Sequence, residues 1–395
     1  MSRLAELIAQ LCPDGVEYRP LGEIADLQRG AGMPKKLFVD KGIPAIHYGH
    51  IFTKYGIQAK CAAAYLAPED AEKLTRVFPG DLVVANTSEN LEDVGKGVVW
   101  LGDVEGVTGG HATVVRSLAV DSVFLSYYLR TEDFALKKRK YAQGTKVIEL
   151  SAANLSKIDI PLPPVEVQRE IVRILDQFTT LEAELEAELE ARQAQYEHYR
   201  NHLLSYDSLA ARGPVEMVKL GELAHIATGG RNTSDAVDNG TYPFYVRSQV
   251  PLSLNEYDFD ESAVLTAGDG VGVGKVFHHV EGKYALHQRA YRIVPNLELL
   301  SSRYLYHVMV SQFGRYLEST VFHSSVTSVR KPMLERFPVA VPPMEEQDRV
   351  ADVLDRFNAL VNDITSGLPA EIAARRAQYE HYRDRLLSFP EKKAE

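Results

Sequence analysis

The chain has 395 residues, 45% of them hydrophobic, and a formal net charge of −10, a length that supports two or three ordinary domains with real cores. No apolar run approaches the ~20 residues of a membrane span, and the first helix lacks the basic lead-in and cleavage pattern of a signal peptide. Two cysteines, Cys12 and Cys61, are too few for a disulfide framework or a Cys-based zinc site, so a cytoplasmic chain with no membrane role is expected.

A short amphipathic helix carrying Leu4, Leu7, Ile8 and Leu11 should stop before Pro13 and Gly15. From Val16 to Leu162, β-like runs at 43–51, 81–86, 96–101 and 112–116 are separated by Gly, Pro and Asn/Asp turns. One helix is predicted over Val123 to Tyr141. Pro163 and Pro164 then sit where a long helix begins, a position proline tolerates because first-turn amides have no intrahelical partner. Its apolar residues, from Ile171 and Leu175 to Tyr199 and Leu203, recur mostly every third or fourth position, a seam that asks for a partner helix. A second β-rich stretch, Val218 to Val341, includes a predicted strand over Tyr284 to Val294 and a predicted helix over Ser302 to Leu317. A second apolar seam, Val350 to Leu386, closes the chain. Gly367 and Pro369 interrupt that seam, as a kink or a helix-turn-helix break would.

The chain repeats itself. ARQAQYEHYRNHLLS at Ala191 returns as ARRAQYEHYRDRLLS at Ala374, IPLPPVEVQREIVRILDQF at Ile160 answers VAVPPMEEQDRVADVLDRF at Val339, and LGEIADLQRG at Leu21 answers LGELAHIATG at Leu220. So long a period excludes a solenoid and reads as a duplicated domain plus helix. The predicted fold is therefore α+β: two mixed α/β domains separated by a long antiparallel two-helix coiled coil, with an internal pseudo-two-fold repeat. The expected segments are 1–162, 163–206, 207–341 and 342–395.

The acidic total hides local basic clusters. Val165 to Glu190 holds eight acidic residues against Arg169 and Arg173, whereas Lys137 to Lys140 and Lys146 in the first half, and Arg231, Arg247, Arg289, Arg292, Arg330 and Lys331 in the second, stay basic. Local charge decides groove binding, so DNA is not excluded. Catalytic motifs are missing. GDGVGVGK at Gly268 lacks the first glycine and the final Ser/Thr of a phosphate loop and reads as a strand-to-strand turn, and the histidines lack metal-ligand spacing. No catalytic residue, metal site or cofactor is expected.

The words PLPPVEVQREIVRIL and VPPMEEQDRVADVL, each followed by a helix ending QYEHYRxxLL and preceded by domains opening LGEI or LGEL, resemble the specificity subunit of a Type I restriction-modification enzyme. The resemblance implies two target-recognition domains and conserved spacer helices. It implies as partners double-stranded DNA, two modification subunits that carry S-adenosylmethionine and methylate adenine, and restriction subunits that carry the translocase and nuclease.

Each domain would then read one half of a split, asymmetric target through base-edge and phosphate contacts. The candidate readers are Thr87, Ser88, Asn90, Lys137, Lys140, Thr145 and Lys146 in the first domain. In the second they are Arg231, Asn232, Arg247, Gln249, Gln288, Arg289, Ser324, Ser325 and Arg330. His47 and Tyr48 are assigned to the core or its rim. The repeated pairs Tyr196/Tyr199 and Tyr379/Tyr382 are either anchors for the modification subunits or the core of the coil. The rival readings are the specificity component of another DNA-methylation or phage-defence system, and a coiled-coil adaptor that binds proteins.

The unit LEAE recurs from Leu181, and one more copy adds ~6 Å of helix at ~1.5 Å per residue, a little under two base pairs at ~3.4 Å each. Inserting LEAE after Glu188 should keep both half-sites and widen the gap between them by one or two base pairs, as read by mapping methylated adenines. An unchanged gap in an active complex would show that this segment is not the spacer.

Overall fold

The computed structural model describes residues 3–320, 328–362 and 367–392. Two compact units organise them. One holds the residues up to 184 together with those from 373 onward, and the other holds 185–372. Each unit thus joins a β-rich domain to parts of both spacer helices.

The first domain is closed at its base by a two-stranded antiparallel ribbon in which the incoming strand Glu17–Pro20 pairs with the outgoing strand Asp159–Leu162. Above it lies a five-stranded sheet in the order Ala25–Arg29, Ala112–Ser117, Leu82–Ala85, Gly97–Trp100, Gln58–Ala59. The central run Leu82-Val83-Val84-Ala85 is uniformly apolar because both faces are covered. Leu82 and Val84 join the core beneath the helices, while Val83 and Ala85 pack on the opposite side with Trp100 and Ile51. A second five-stranded sheet runs Phe38–Val39, Tyr65–Leu66, Ile43–Ile46, Gly106–Thr108, Thr75–Val77.

The second domain repeats the basal ribbon, with Glu216–Lys219 on Pro338–Val341. It carries one six-stranded sheet ordered Ala224–Thr228, Ala290–Pro295, Phe259–Ala267, Phe277–Leu286, Tyr242–Tyr245, Leu252–Leu254.

The structure redraws four predicted elements. The helix expected over 123–141 is two, Ser122–Tyr128 and Glu132–Lys138, because the Thr131 hydroxyl donates to Tyr128 O and accepts from Phe134 N–H, ending one helix and capping the next. The run at 43–51 is a strand only to Ile46. His47 Nδ1 then accepts from Gly49 N–H and starts the helix Tyr48–Thr53. The strand expected from Tyr284 to Val294 bends back on itself at His287–Arg289, ending one strand at Leu286 and starting another at Ala290. The helix expected over 302–317 continues to Thr320 but widens to a π-turn at Met309–Phe313.

The spacer helices are Val165–Leu203 in the first repeat, and Met344–Asn362 and Leu368–Leu386 in the second. Within the first unit Phe178 stacks on Tyr382 at 5.6 Å and lies 6.4 Å from Tyr379. The second unit has the equivalent contact, with Phe357 5.5 Å from Tyr196 and 6.3 Å from Tyr199. In each case the phenylalanine of one repeat meets the tyrosine pair of the other.

One side chain ties each helix to its domain. Gln168, almost fully buried, accepts from Asp121 N–H at 2.7 Å and donates to Pro163 O at 2.7 Å. Gln347 does the same with Ser301 N–H at 2.9 Å and Pro342 O at 2.9 Å, and also donates to Leu299 O. Two turns further on, the Tyr127 hydroxyl donates to Asp176 at 2.7 Å, and in the other repeat His307 Nε2 lies 2.7 Å from Asp355. Replacing Gln168 or Gln347 by Leu strands a peptide N–H and a proline carbonyl, and should destabilise the chain by about 2 to 4 kcal/mol. Urea unfolding reads this, and a loss under ~0.5 kcal/mol, the size of an ordinary surface change, would refute the clamp.

Candidate nucleic-acid interface

On the first domain two adjoining hollows, of about 400 and 520 Å3, share Lys35 and Tyr48. The first is also lined by His50, Thr53, Thr87, Ser88, Asn90 and Val147, the second by Arg29, His47, Gly110 and His111. Gly30 lets the two walls meet, because a Cβ there would lie 2.0 Å from Gly109 O. Thr87 Oγ1 is 3.1 Å from His111 Nδ1, and the Tyr48 and His111 rings are 5.0 Å apart. Asn90 donates to Asp93, which also accepts from Lys96 at 2.7 Å. Burial works against the Asp93 charge, yet Lys96 and Asn90 outweigh it and hold the carboxyl below its usual range.

Of the first-domain residues predicted from sequence, Thr87, Ser88 and Asn90 line a hollow. Thr145 and Lys146 are exposed in the turn just before Val147, and Lys140 is exposed on the chain leaving a helix. Lys137 lies elsewhere: its ammonium donates to the Tyr128 hydroxyl, pairs with Asp133 at 2.9 Å and rests over the Tyr18 ring in the basal ribbon. Its neighbour Lys138 is not surface charge at all. Only 2% exposed, it donates to Glu92 O and Val94 O, and burial followed by Lys96 brings it down to about 8. Sequence reading passed over Arg29, Lys35, His50 and His111, and set Tyr48 aside as rim. The clustered histidines and tyrosine of HYGH and the GGH at 109–111 were the available signals.

In the second domain the structure gathers five of the predicted residues. Asp269 accepts from Arg247 Nη1 at 2.7 Å through one oxygen and from Arg289 Nη1 at 2.9 Å through the other. Gln288 donates to Asn232, and Arg231 pairs with Asp258 at 2.8 Å and Glu256 at 3.1 Å. Burial opposes ionisation of Asp269, but the two guanidiniums prevail and its carboxyl stays below the usual range. His287 is buried, its pKa lowered by burial and then by Arg247, and its Nδ1 accepts from Arg289 N–H. Gln249 is exposed two residues past Arg247, and Arg330 is exposed beside Val329, whose N–H donates to Gly268 O at 2.7 Å. Ser324 and Ser325 lie outside the described residues.

Among the tyrosines named for partner contacts, Tyr196 and Tyr379 are buried against phenylalanine, whereas Tyr199 and Tyr382 are 44% and 37% exposed. No group of three or more His, Cys, Asp or Glu among the described residues is arranged to hold a metal, and no described helix is long and apolar enough to cross a membrane.

A family model described as the Type I restriction modification DNA specificity domain matches residues 13–191 and again 213–374. The specificity subunit of the type I restriction enzymes EcoR124I and EcoR124II of Escherichia coli is 33% identical over 268 residues, 61% of this chain and 65% of that protein. A putative type I restriction enzyme specificity subunit of Haemophilus influenzae is 28% identical, over 95% of this chain and 96% of that one. Two solved structures share the fold. The type I restriction-modification S subunit of M. genitalium has a TM-score of 0.58 at 14% identity, covering 94% of this chain and 96% of that one. A chain from a structure addressing complex assembly and conformational transition of the type I R-M system has a TM-score of 0.61 at 18% identity, covering 95% and 98%.

His47 carries a pH signature. It is buried, and burial, followed by His50 and Lys35, takes it from 6.5 to about 4. Between those values the unfolded chain binds a proton that the folded chain refuses, so stability falls as pH falls through that window. His47→Asn keeps an acceptor at the helix cap and should lose less melting temperature than the parent on going from pH 7 to ~4.5. Equal losses would count against it.

Proposed function

We infer the function from a premise that the two matched repeats establish: the chain belongs to the Type I restriction-modification DNA specificity family. It is the sequence-recognising, non-catalytic subunit of such a system. Each β-rich domain reads one half of a split target, through the Thr87–His111 hollows in the first repeat and the Asp269 cluster in the second. The observation that carries this reading is that the two domains share a basal ribbon and a helix clamp while their recognition faces differ: the Thr87 hydroxyl and the Tyr48 and His111 rings with Lys35 and Arg29 beside them in one, two guanidiniums on the Asp269 carboxylate in the other. Two unlike faces select two unlike half-sites.

The candidate readers are the polar residues at those faces, with Lys140, Thr145, Lys146, Gln249 and Arg330 at their margins and Lys137 retained by its ion pair for a structural role. The spacer helices form one antiparallel coil related by a pseudo-two-fold axis. Support comes from the apolar seams and from the equivalent Phe178 and Phe357 contacts in the two units. Two modification subunits dock on these helices, where Tyr199 and Tyr382 keep an open ring face, and restriction subunits complete the assembly in the cytoplasm. The segment boundaries 162 and 341 mark where domain gives way to spacer, and 206 where the first spacer gives way to the second domain.

Exchanging Val218 to Val341 for the second domain of another family member should change one half of the methylated target and leave the other intact, read by mapping methylated adenines with the modification subunits present. A change in both halves would overturn the assignment of one half-site per domain.

A further inference from the structure

Backbone hydrogen bonds put the recognition faces of the two repeats into register. Asn86 N–H donates to His111 O and Leu150 N–H to Asn86 O, both at 2.8 Å. In the second repeat Gly268 N–H donates to Arg289 O at 2.8 Å and Val329 N–H to Gly268 O at 2.7 Å. Likewise Ile46 pairs in parallel with Thr108, as Tyr245 does with Leu286. Three positions are thereby matched: Tyr48 with Arg247, Thr87 with Asp269, and His111 with Arg289. In the first repeat the His111 imidazole meets the Thr87 hydroxyl and the Tyr48 ring, and in the second the Asp269 carboxylate holds both guanidiniums.

The second repeat is built to hold its arginines forward. The turn carrying Asp269 comes so close to both arginine backbones that a Cβ on Gly268 would lie 2.6 Å from Arg289 O and one on Gly272 2.5 Å from Arg247 O. Each guanidinium gives one Nη1 donor to Asp269 and makes no second hydrogen bond among the described residues, which leaves N–H groups for outside partners. The side chains are 41% exposed at Arg247 and 63% at Arg289. Val271, 97% exposed, stands at the tip of the same turn.

We propose that Arg247 and Arg289, braced by Asp269, are the guanine-reading pair of the second domain, each presenting a planar fork to the O6 and N7 acceptors of a guanine in the major groove. Guanine alone offers two adjacent acceptors on that edge, and two parallel N–H donors match them. A brace from a carboxylate fixes the fork before DNA arrives, so less freedom is lost on binding. The matched positions in the first domain carry a phenol, a hydroxyl and an imidazole instead. This inference rests on the chain being a DNA specificity subunit.

The test uses the full chain with its modification subunits on a library of random duplexes, scored by adenine methylation and by binding at several salt concentrations. The domain exchange described above first assigns one half-site to residues 218–341. Arg289→Gln, Arg247→Gln and Arg289→Lys are then compared with the parent. Each Gln variant should lose roughly ten- to hundredfold preference for guanine at one position of that half-site and leave the other half-site unchanged. Arg289→Lys keeps the charge but not the fork, and should lose the same preference while holding most of its affinity. Three outcomes would overturn the proposal: no guanine in the assigned half-site, guanine preference intact in both Gln variants, or a uniform weakening across sequences with a salt slope shallower by about one, the mark of a phosphate contact. Failure of the parent complex to select any sequence would instead sink the underlying functional reading.

Discussion

The buried amide of Gln168, with its counterpart Gln347, is the contact on which the positions of the other groups depend. A long helix that leaves a small domain through a pair of prolines has no inherent direction relative to that domain. The amide supplies it by accepting from the first N–H of the domain helix region and donating to the proline carbonyl just before the spacer. Both bonds are shielded from water, so leaving either unmade costs more than making it gains. The Tyr127–Asp176 and His307–Asp355 contacts then fix rotation about the helix axis. With two polar ties at different heights, each spacer helix is positioned against its domain in a single orientation.

The same economy governs the two proposed recognition faces. Sheet register and basal ribbon place three side chains together in each repeat, and the backbone bonds that do so are indifferent to what those side chains are. A recognition surface can therefore change chemistry without disturbing the fold beneath it. The buried sheet residues Leu82, Val84, Val264 and Ile293 have no such latitude, because close-packed interiors register a change of even one methylene. The acidic excess of the chain is reconciled in similar terms. Eight of the carboxylates crowd the stretch Val165 to Glu190 of the first spacer helix, so the net charge says little about the potential over the domain surface.

The aromatic exchange between repeats has the form expected of a duplicated unit that associates with its own copy. Phe178 meets the Tyr379/Tyr382 pair and Phe357 meets the Tyr196/Tyr199 pair, so each contact has its equivalent. The inner tyrosines are buried by this packing and the outer ones keep a face open. One motif thus packs one ring between the helices and leaves the other ring partly exposed. Arg200 and Arg383, at equivalent positions, lie over the rings of Tyr196 and Tyr379.

The sequence by itself determined what is local or repeated. The duplication, the proline-led helices, their apolar seams and the missing catalytic motifs were all legible, because periodicity and spacing are properties of short stretches. It also pointed to Thr87, Ser88, Asn90, Arg247 and Arg289 as polar loop residues. Only the tertiary structure decided which of them meet. Asp269 lies 22 residues from Arg247 and 20 from Arg289, and what joins them is the register of strands whose pairing no single stretch encodes. The turn at His287–Arg289 was hidden within a run that reads as one strand, since alternating apolar residues continue on both sides of it. Lys137 and Lys138 read as surface charge for the converse reason: composition counts an ammonium, but only packing shows that one rests on Tyr18 and the other is enclosed by the carbonyls of Glu92 and Val94.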